Sequence, residues 1–187
     1  MTTRRIAIYG GSFDPPHLGH VLSVAWALST ADIDAVLIVP TWKHAFNKAH
    51  GASFEERMAI CALAFALLRG VEISDVERRL DGVSRTLDTL NALRMEHPDA
   101  LFRLLIGSDV LPTTDRWHRW DEVVKIAPPL VVGREGYPAP SDCAISIPNV
   151  NSTEIRSRLA RAGDVTGLVP SNVIEHIRSR GLYQGKR

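Results

Sequence analysis

Short apolar runs and helical stripes alternate along this chain. Arg5-Ile6-Ala7-Ile8-Tyr9 is apolar and partly β-branched, the pattern of a buried strand. Behind it, Leu18, Val21, Leu22, Ala25 and Leu28 recur at helical spacing. Ala35 to Pro40 reads as a second buried strand. A helix between two apolar strands implies a parallel sheet with a right-handed crossover. Ser53 is the predicted N-cap of the next helix, with Glu56 completing a capping box and Phe54, Met58, Cys61, Phe65 and Leu68 as its stripe up to Gly70. Val71 to Ser74 is a third strand, Val76 to Val83 an exposed loop, and Ser84 to His97 a helix stopped by Pro98. Leu101 to Ile106 is a fourth strand, expected near the sheet centre, and it ends in Gly107-Ser108-Asp109. The pattern then predicts a helix over Trp117 to Ala127 and a fifth strand over Leu130 to Gly133. A loop from Arg134 to Asp142 leads into a last strand over Ala144 to Ile147. Two helices close the chain. Asn151 caps the first, with Glu154 completing a capping box, and the second covers Ser171 to Ser179. The expected fold is α/β, one doubly wound Rossmann-like parallel sheet. Residues 1–187 are expected to form one domain, with the core in 1–150 and a helical C-terminal part in 151–187.

Composition narrows the function classes. The 187 residues suit one domain with a real core, and the formal charge of +1 gives no overall field for nucleic acid or a membrane surface. The longest apolar run, around Met58 to Leu68, is too short to span a bilayer. Arg4-Arg5 is followed by a mixed strand pattern rather than a signal peptide, and cytoplasmic localisation is expected. Cys61 and Cys143 fit no metal or redox spacing. Oligomeric state is left open. The chain contains no Gly-x4-Gly-Lys-Ser/Thr, no Gly-x-Gly-x-x-Gly, no Gly-x-Ser-x-Gly and no His-Glu-x-x-His.

Two stretches carry chemistry. Gly10-Gly11-Ser12-Phe13-Asp14-Pro15-Pro16-His17-Leu18-Gly19-His20 is a strand end, a glycine turn and a helix start. That arrangement aims free N–H groups and the positive end of a helix dipole at one spot, which suits a phosphate. His17 and His20 share a face of the first helical turn, so both can donate to one anion. Asn151-Ser152-Thr153-Glu154-Ile155-Arg156 opens a later helix with hydroxyls, free N–H groups and an arginine able to fork onto phosphate oxygens.

These segments resemble the nucleotidylyltransferase superfamily, and the first resembles bacterial nicotinate-nucleotide adenylyltransferases. Asn151-Ser152-Thr153-Glu154-Ile155-Arg156 is similar to the (I/S)-S-T-x-I-R motif that grips the triphosphate, with Asn151 where Ser is more usual. Ser84 to Leu90 is similar to S-Y-T-x-D-T-L, with Thr86 and Asp88 matching and Arg85 in place of Tyr. Gly107-Ser108-Asp109 followed by Trp117 matches G-x-D-x(7)-W. The tail from Gly167 to Tyr183 also resembles the family's, so the likeness spans essentially the whole chain. The usual Pro-Pro-His-Lys element is replaced by Thr41 to Lys48.

The resemblance implies adenylyl transfer from ATP to nicotinic acid mononucleotide, giving deamido-NAD and pyrophosphate in NAD biosynthesis. It assigns His17, His20 and Arg156 to catalysis. ATP binding is assigned to Gly10, Gly11, Ser12, Phe13, His17, Gly19, His20, Gly107, Asp109, Asn151, Ser152, Thr153 and Arg156. The mononucleotide is assigned Lys43 or Lys48 for its phosphate, with Thr86, Asp88 and Trp117, whose indole would stack on the pyridinium. Arg134 is grouped with the mononucleotide, the adenine side or triphosphate being the other place it could reach. Trp120 is expected to be the core tryptophan of the pair. Mg²⁺ is expected to arrive with ATP, bridging phosphates and keeping mostly water ligands, so no protein metal ligand is named. The alternatives are nicotinamide mononucleotide, or both nucleotides; less favoured is another acceptor such as phosphopantetheine or a phosphosugar. A nucleotide-binding regulator without catalysis is the rival from a different class.

Overall fold

The computed structural model describes residues 3–43, 50–141, 143 and 145–185. In chain order the elements are β1 (Arg5–Gly11), α1 (Leu18–Thr30), β2 (Ala35–Pro40), α2 (Phe54–Phe65), β3 (Val71–Ile73), α3 (Val76–Leu80) and α4 (Thr86–Glu96). They continue with β4 (Leu101–Gly107), a 3-10 turn over Leu111–Arg116, α5 (Trp120–Ile126), β5 (Pro129–Arg134), β6 (Ser146–Ile147), α6 (Ser152–Ala160) and α7 (Ser171–Ser179). The sheet order is β3-β2-β1-β4-β5-β6, and every pair is parallel. The order reverses between β1 and β4, the switch point where ligands of open α/β sheets bind.

Successive strand residues feed opposite faces. Ala7, Val36, Ile38 and Leu105 join one core with α1, α2, α6 and α7, through Val24, Ile60, Ile155, Val173 and Ile177. Ile6, Ile8, Leu37, Val39, Leu104 and Ile106 join the other, against Val76, Leu90, Leu93 and Val123. Both faces are therefore covered, which is why the strands read as continuous apolar runs. Among the described residues no helix is long and apolar enough to cross a membrane.

Several elements depart from the sequence expectation. The stretch expected as a loop from Val76 to Val83 begins with α3, and Val76 and Glu77 are buried. Its five residues are too short to show a helical period. The helix expected from Trp117 starts at Trp120, because Arg119 sits at φ 55°, in the left-handed region. Helix α2 ends at Phe65, well before Gly70. Both expected capping boxes form only by half. Ser53 Oγ accepts from the Glu56 N–H, and Asn151 Oδ1 from the Glu154 N–H. The glutamates do not reach back: Glu56 binds His176 and Arg180, and Glu154 binds Arg158. Charge-assisted partners outcompete a neutral backbone N–H, and the Glu56 contacts tie α2 to α7. Ala144 lies outside the described residues, and the last strand is Ser146–Ile147.

Candidate active site

Strands β1 and β4 pair only from Arg5–Leu101 to Ile8–Leu104. Beyond that point β1 stays with β2, out to Gly11–Pro40, and β4 stays with β5, out to Gly107–Val132. The two central strands therefore part at their C-terminal ends, and a crevice opens at the switch point. Gly10, Leu105, Ile106 and Trp117 border two clefts there, one of about 490 Å³ and one of about 190 Å³. A Cβ on Gly10 would meet nothing of the protein within 4 Å, so the space above it is open for a ligand.

The smaller cleft holds the histidines. His17, Gly19, His20, Gly107, Asp109 and Arg134 line it. The His17 and His20 rings stack, centroids 3.7 Å apart. The His17 backbone N–H donates to His20 Nδ1 at 3.1 Å, so the His20 ring carries its proton on Nε2. Phe13 packs edge-on against His20 and Tyr9 at 4.9 and 5.6 Å, and it holds a left-handed backbone, φ 45°. Its ring sits in the core rather than in either cleft, so this packing is its part in shaping the turn. Burial, then the charge of Arg134, pulls the His17 pKa down to about 3. Burial, His17 and Arg134 hold His20 well below its ordinary range. Both rings are thus neutral in the free protein. His17 Nδ1 is buried and has no partner among the described residues.

Arg134 belongs to this cleft, not to the larger one. It donates to Asp109 Oδ2 at 2.6 Å and to the Val150 carbonyl at 2.5 Å. The reason is topological: β5 lies beyond β4, on the far side of the crevice from Thr86. A Cβ on Gly107 would stand 2.3 Å from Asp109 Oδ1, so a larger residue there would displace the carboxylate that Arg134 holds.

The larger cleft takes Gly11, Ser12, Thr41, Glu77, Ser84, Arg85, Thr86, Thr89, Arg116, Trp117 and His118. Gly11 and Ser12, expected on the ATP side, line this cleft, because the end of β1 follows β2 rather than β4. Trp117 is half-buried between the 3-10 turn and α5, its ring edge-on to Trp120 at 5.4 Å. Trp120, expected as the core tryptophan, is likewise only partly buried. Asp88 is exposed on α4, and Thr89, one residue on, faces the cleft in its stead. Lys43 Nζ is held by Asp81 at 3.0 Å and does not line the cleft. Lys48 lies outside the described residues.

The N-terminus of α6 docks on the glycine turn rather than lining either cleft. Ser152 Oγ donates to the Pro15 carbonyl at 2.9 Å, and Arg156 donates to the Asp14 carbonyl at 2.6 Å and to Thr153 Oγ1 at 3.3 Å. The two sequence motifs are thereby brought into contact across 142 positions of chain.

Three positions that brace the clefts escape sequence reasoning. The Asp14 carboxylate accepts from the N–H groups of Gly51 and Ala52 and from the Tyr183 hydroxyl. Arg57, 1% exposed, donates to the carbonyls of Ser12 and Thr41 and so ties the ends of β1 and β2 together. It stands on the inner stripe of α2 between Phe54 and Cys61, and a charge at that position is the signal that could have found it. Glu77 accepts from the Trp42 N–H at 3.0 Å and the Thr89 hydroxyl at 3.1 Å, and burial raises its pKa.

The chain is similar to known proteins in sequence and in fold. The family model for cytidylyltransferase-like proteins matches residues 8–162, and the chain belongs to that family. It is 45% identical over 185 residues to a protein of Anaeromyxobacter sp. (strain K) named "Probable nicotinate-nucleotide adenylyltransferase", covering 97% of this chain and 98% of the relative. A Myxococcus xanthus relative of the same name is 37% identical over 184 residues, covering 98% and 96%. In fold the chain is similar to the Plasmodium falciparum nicotinic acid mononucleotide adenylyltransferase complexed with NaAD, with a TM-score of 0.82, 19% identity and coverage of 96% and 97%.

Proposed function

We propose that this chain transfers the adenylyl group of ATP to the 5′-phosphate of nicotinic acid mononucleotide. The observation that carries the reading is the pair of clefts meeting over Gly10. One is walled by two stacked neutral histidines and Arg134, the other by Thr86 and Trp117. Names of relatives at up to 45% identity support the same reaction.

Transfer needs no nucleophilic side chain. A phosphate oxygen of the mononucleotide forms a bond to the α-phosphorus. The bond from that phosphorus to the bridging oxygen breaks, and its electron pair leaves with pyrophosphate. The protein's work is alignment and charge stabilisation. His20 Nε2–H donates to the α-phosphate. His17 gains a partner for its buried Nδ1 when a phosphate oxygen or a bridging water arrives. Arg134 supplies fixed positive charge on the same side. Asn151, Ser152, Thr153 and Arg156 border the turn from α6, and the β and γ phosphates are assigned to them. Asp109 is assigned the nucleotide hydroxyls. In the larger cleft, Gly11 and Ser12 border the acceptor phosphate, and Thr86 and Trp117 hold the ribosyl-pyridine. Among the described residues no cluster of three or more His, Cys, Asp or Glu stands ready for a metal, and Asp109 is engaged by Arg134. Mg²⁺ would arrive with ATP and neutralise phosphate charge.

The test is to incubate the protein with Mg²⁺, ATP and nicotinic acid mononucleotide, then quantify pyrophosphate and weigh the nucleotide product. One deamido-NAD per pyrophosphate is expected. Pyrophosphate without the dinucleotide, or neither product, contradicts the reading.

A further inference from the structure

We propose that Arg85 reads the negative charge on the pyridine ring of the acceptor, and so sets the preference for the acid over the amide mononucleotide. This rests on the reading of the larger cleft as the mononucleotide site.

Arg85 is the N-cap residue of α4, and its own side chain makes no cap hydrogen bond. It is exposed and lines the larger cleft. Among the described residues its guanidinium has no hydrogen-bond or ion-pair partner, whereas Arg134, beside the histidines, and Arg156, on the glycine turn, are both engaged. A free guanidinium on a cleft wall is a planar fork that matches a carboxylate with two parallel hydrogen bonds.

Position separates two possible anions. The acceptor phosphate has to reach the α-phosphorus, so it belongs near Gly10, which both clefts share. Arg85 borders the larger cleft alone. With Trp117 stacked on the pyridine, the group left for Arg85 is the ring's carboxylate. The amide offers a carbonyl oxygen without charge, so it gains less from the same fork. Glu77 lines the same cleft, but both its oxygens are turned to Trp42 and Thr89, and burial favours its neutral form, which limits repulsion of a carboxylate.

The test measures kcat/KM for nicotinic acid mononucleotide and nicotinamide mononucleotide, with ATP saturating, in wild type, Arg85→Ala and Arg85→Lys. The affinity of each nucleotide is read separately from quenching of tryptophan fluorescence. Arg85→Ala is expected to lower kcat/KM for the acid by about tenfold or more, in line with loss of a charge-assisted hydrogen bond, and to leave the amide within about twofold. Arg85→Lys recovers part of the acid preference. Folding of each variant is checked independently, by its circular-dichroism spectrum and its urea unfolding midpoint, which are expected to match wild type. An equal fall with both nucleotides would place Arg85 on the shared phosphate and overturn the proposal, as would no change with either. Wild-type turnover with no acid preference overturns this proposal and leaves adenylyl transfer standing. Turnover of neither nucleotide overturns the reading of the cleft itself, and this proposal with it.

Discussion

In the smaller cleft, His17 is 5% exposed and every ring is fixed by another: His17 on His20, His20 on Phe13, Phe13 on Tyr9. Across Gly10, the larger cleft is walled by Arg85, Arg116, Trp117 and His118, all on irregular chain or at helix ends, and Arg85 is unpaired among the described residues. The first wall is ordered before a ligand arrives. The second presents cations and an indole that a substrate must engage. Charge stabilisation in a reaction gains from groups that do not reorganise, whereas choice between two similar acceptors rests on contacts made to their differing atoms.

The largest expected effect breaks the rigid side. His20→Ala lowers kcat by about 10²–10³ with the fold intact, as loss of a preorganised donor does elsewhere. His20→Asn, which keeps an acceptor for the His17 N–H, separates that role from ring donation. A His20→Ala enzyme with near-normal turnover removes His20 from the mechanism. On the open side, Trp117→Ala raises KM for the mononucleotide by about tenfold, and Trp117→Phe recovers part of it. Initial rates over a range of mononucleotide concentrations decide this.

Gly19→Ala is subtler. The added methyl would stand 3.1 Å from the His17 ring, so the stack has to shift. Turnover is expected to fall by about tenfold, with little change in unfolding midpoint. Glu77→Gln tests the scaffold of the larger cleft. With the variant's carbonyl on the Trp42 N–H, its NH₂ donates to the Thr89 hydroxyl, whose proton is then confined to the Arg85 carbonyl; this exchange is expected to cost about 1 kcal/mol or less in denaturant titration and to raise mononucleotide KM by a few-fold.

The smallest effect is on pH dependence. His17 is held from its ordinary 6.5 down to about 3 in the folded chain. Between those values the unfolded chain binds the proton and the folded chain does not. Stability from His17 is therefore complete above about 6.5 and is lost as pH falls toward about 3. The raised pKa of Glu77 works in the opposite sense, so the contribution of His17 is read as a difference. Urea midpoints at about pH 4.5 and about pH 7.5 should converge in His17→Asn relative to wild type. Parallel shifts in both proteins would contradict the assignment.

Legibility in the sequence follows the same divide. The strand at Arg5, the turn and the two histidines are one local unit, with glycines, prolines and helical spacing all readable from a short stretch. The helix over Ser171–Ser179 has the bounds expected of it. Arg134 was less legible, because the side of the crevice it joins depends on strand order, which no local pattern carries. Glu77 was hidden because α3 is too short to show a period, and Asp14 because its partners lie 37, 38 and 169 positions away. Asp88 matched a motif in sequence, yet the helix turns it outward and puts Thr89 in the cleft.

The central claim is that each cleft holds one substrate. Calorimetric titration of a non-transferable ATP analogue and of nicotinic acid mononucleotide into wild type, His17→Ala and Thr86→Val tests it most directly. His17→Ala should weaken the ATP analogue by about tenfold and leave the mononucleotide unchanged, and Thr86→Val should do the reverse. Equal weakening of both ligands by either variant would contradict the division of the site over Gly10.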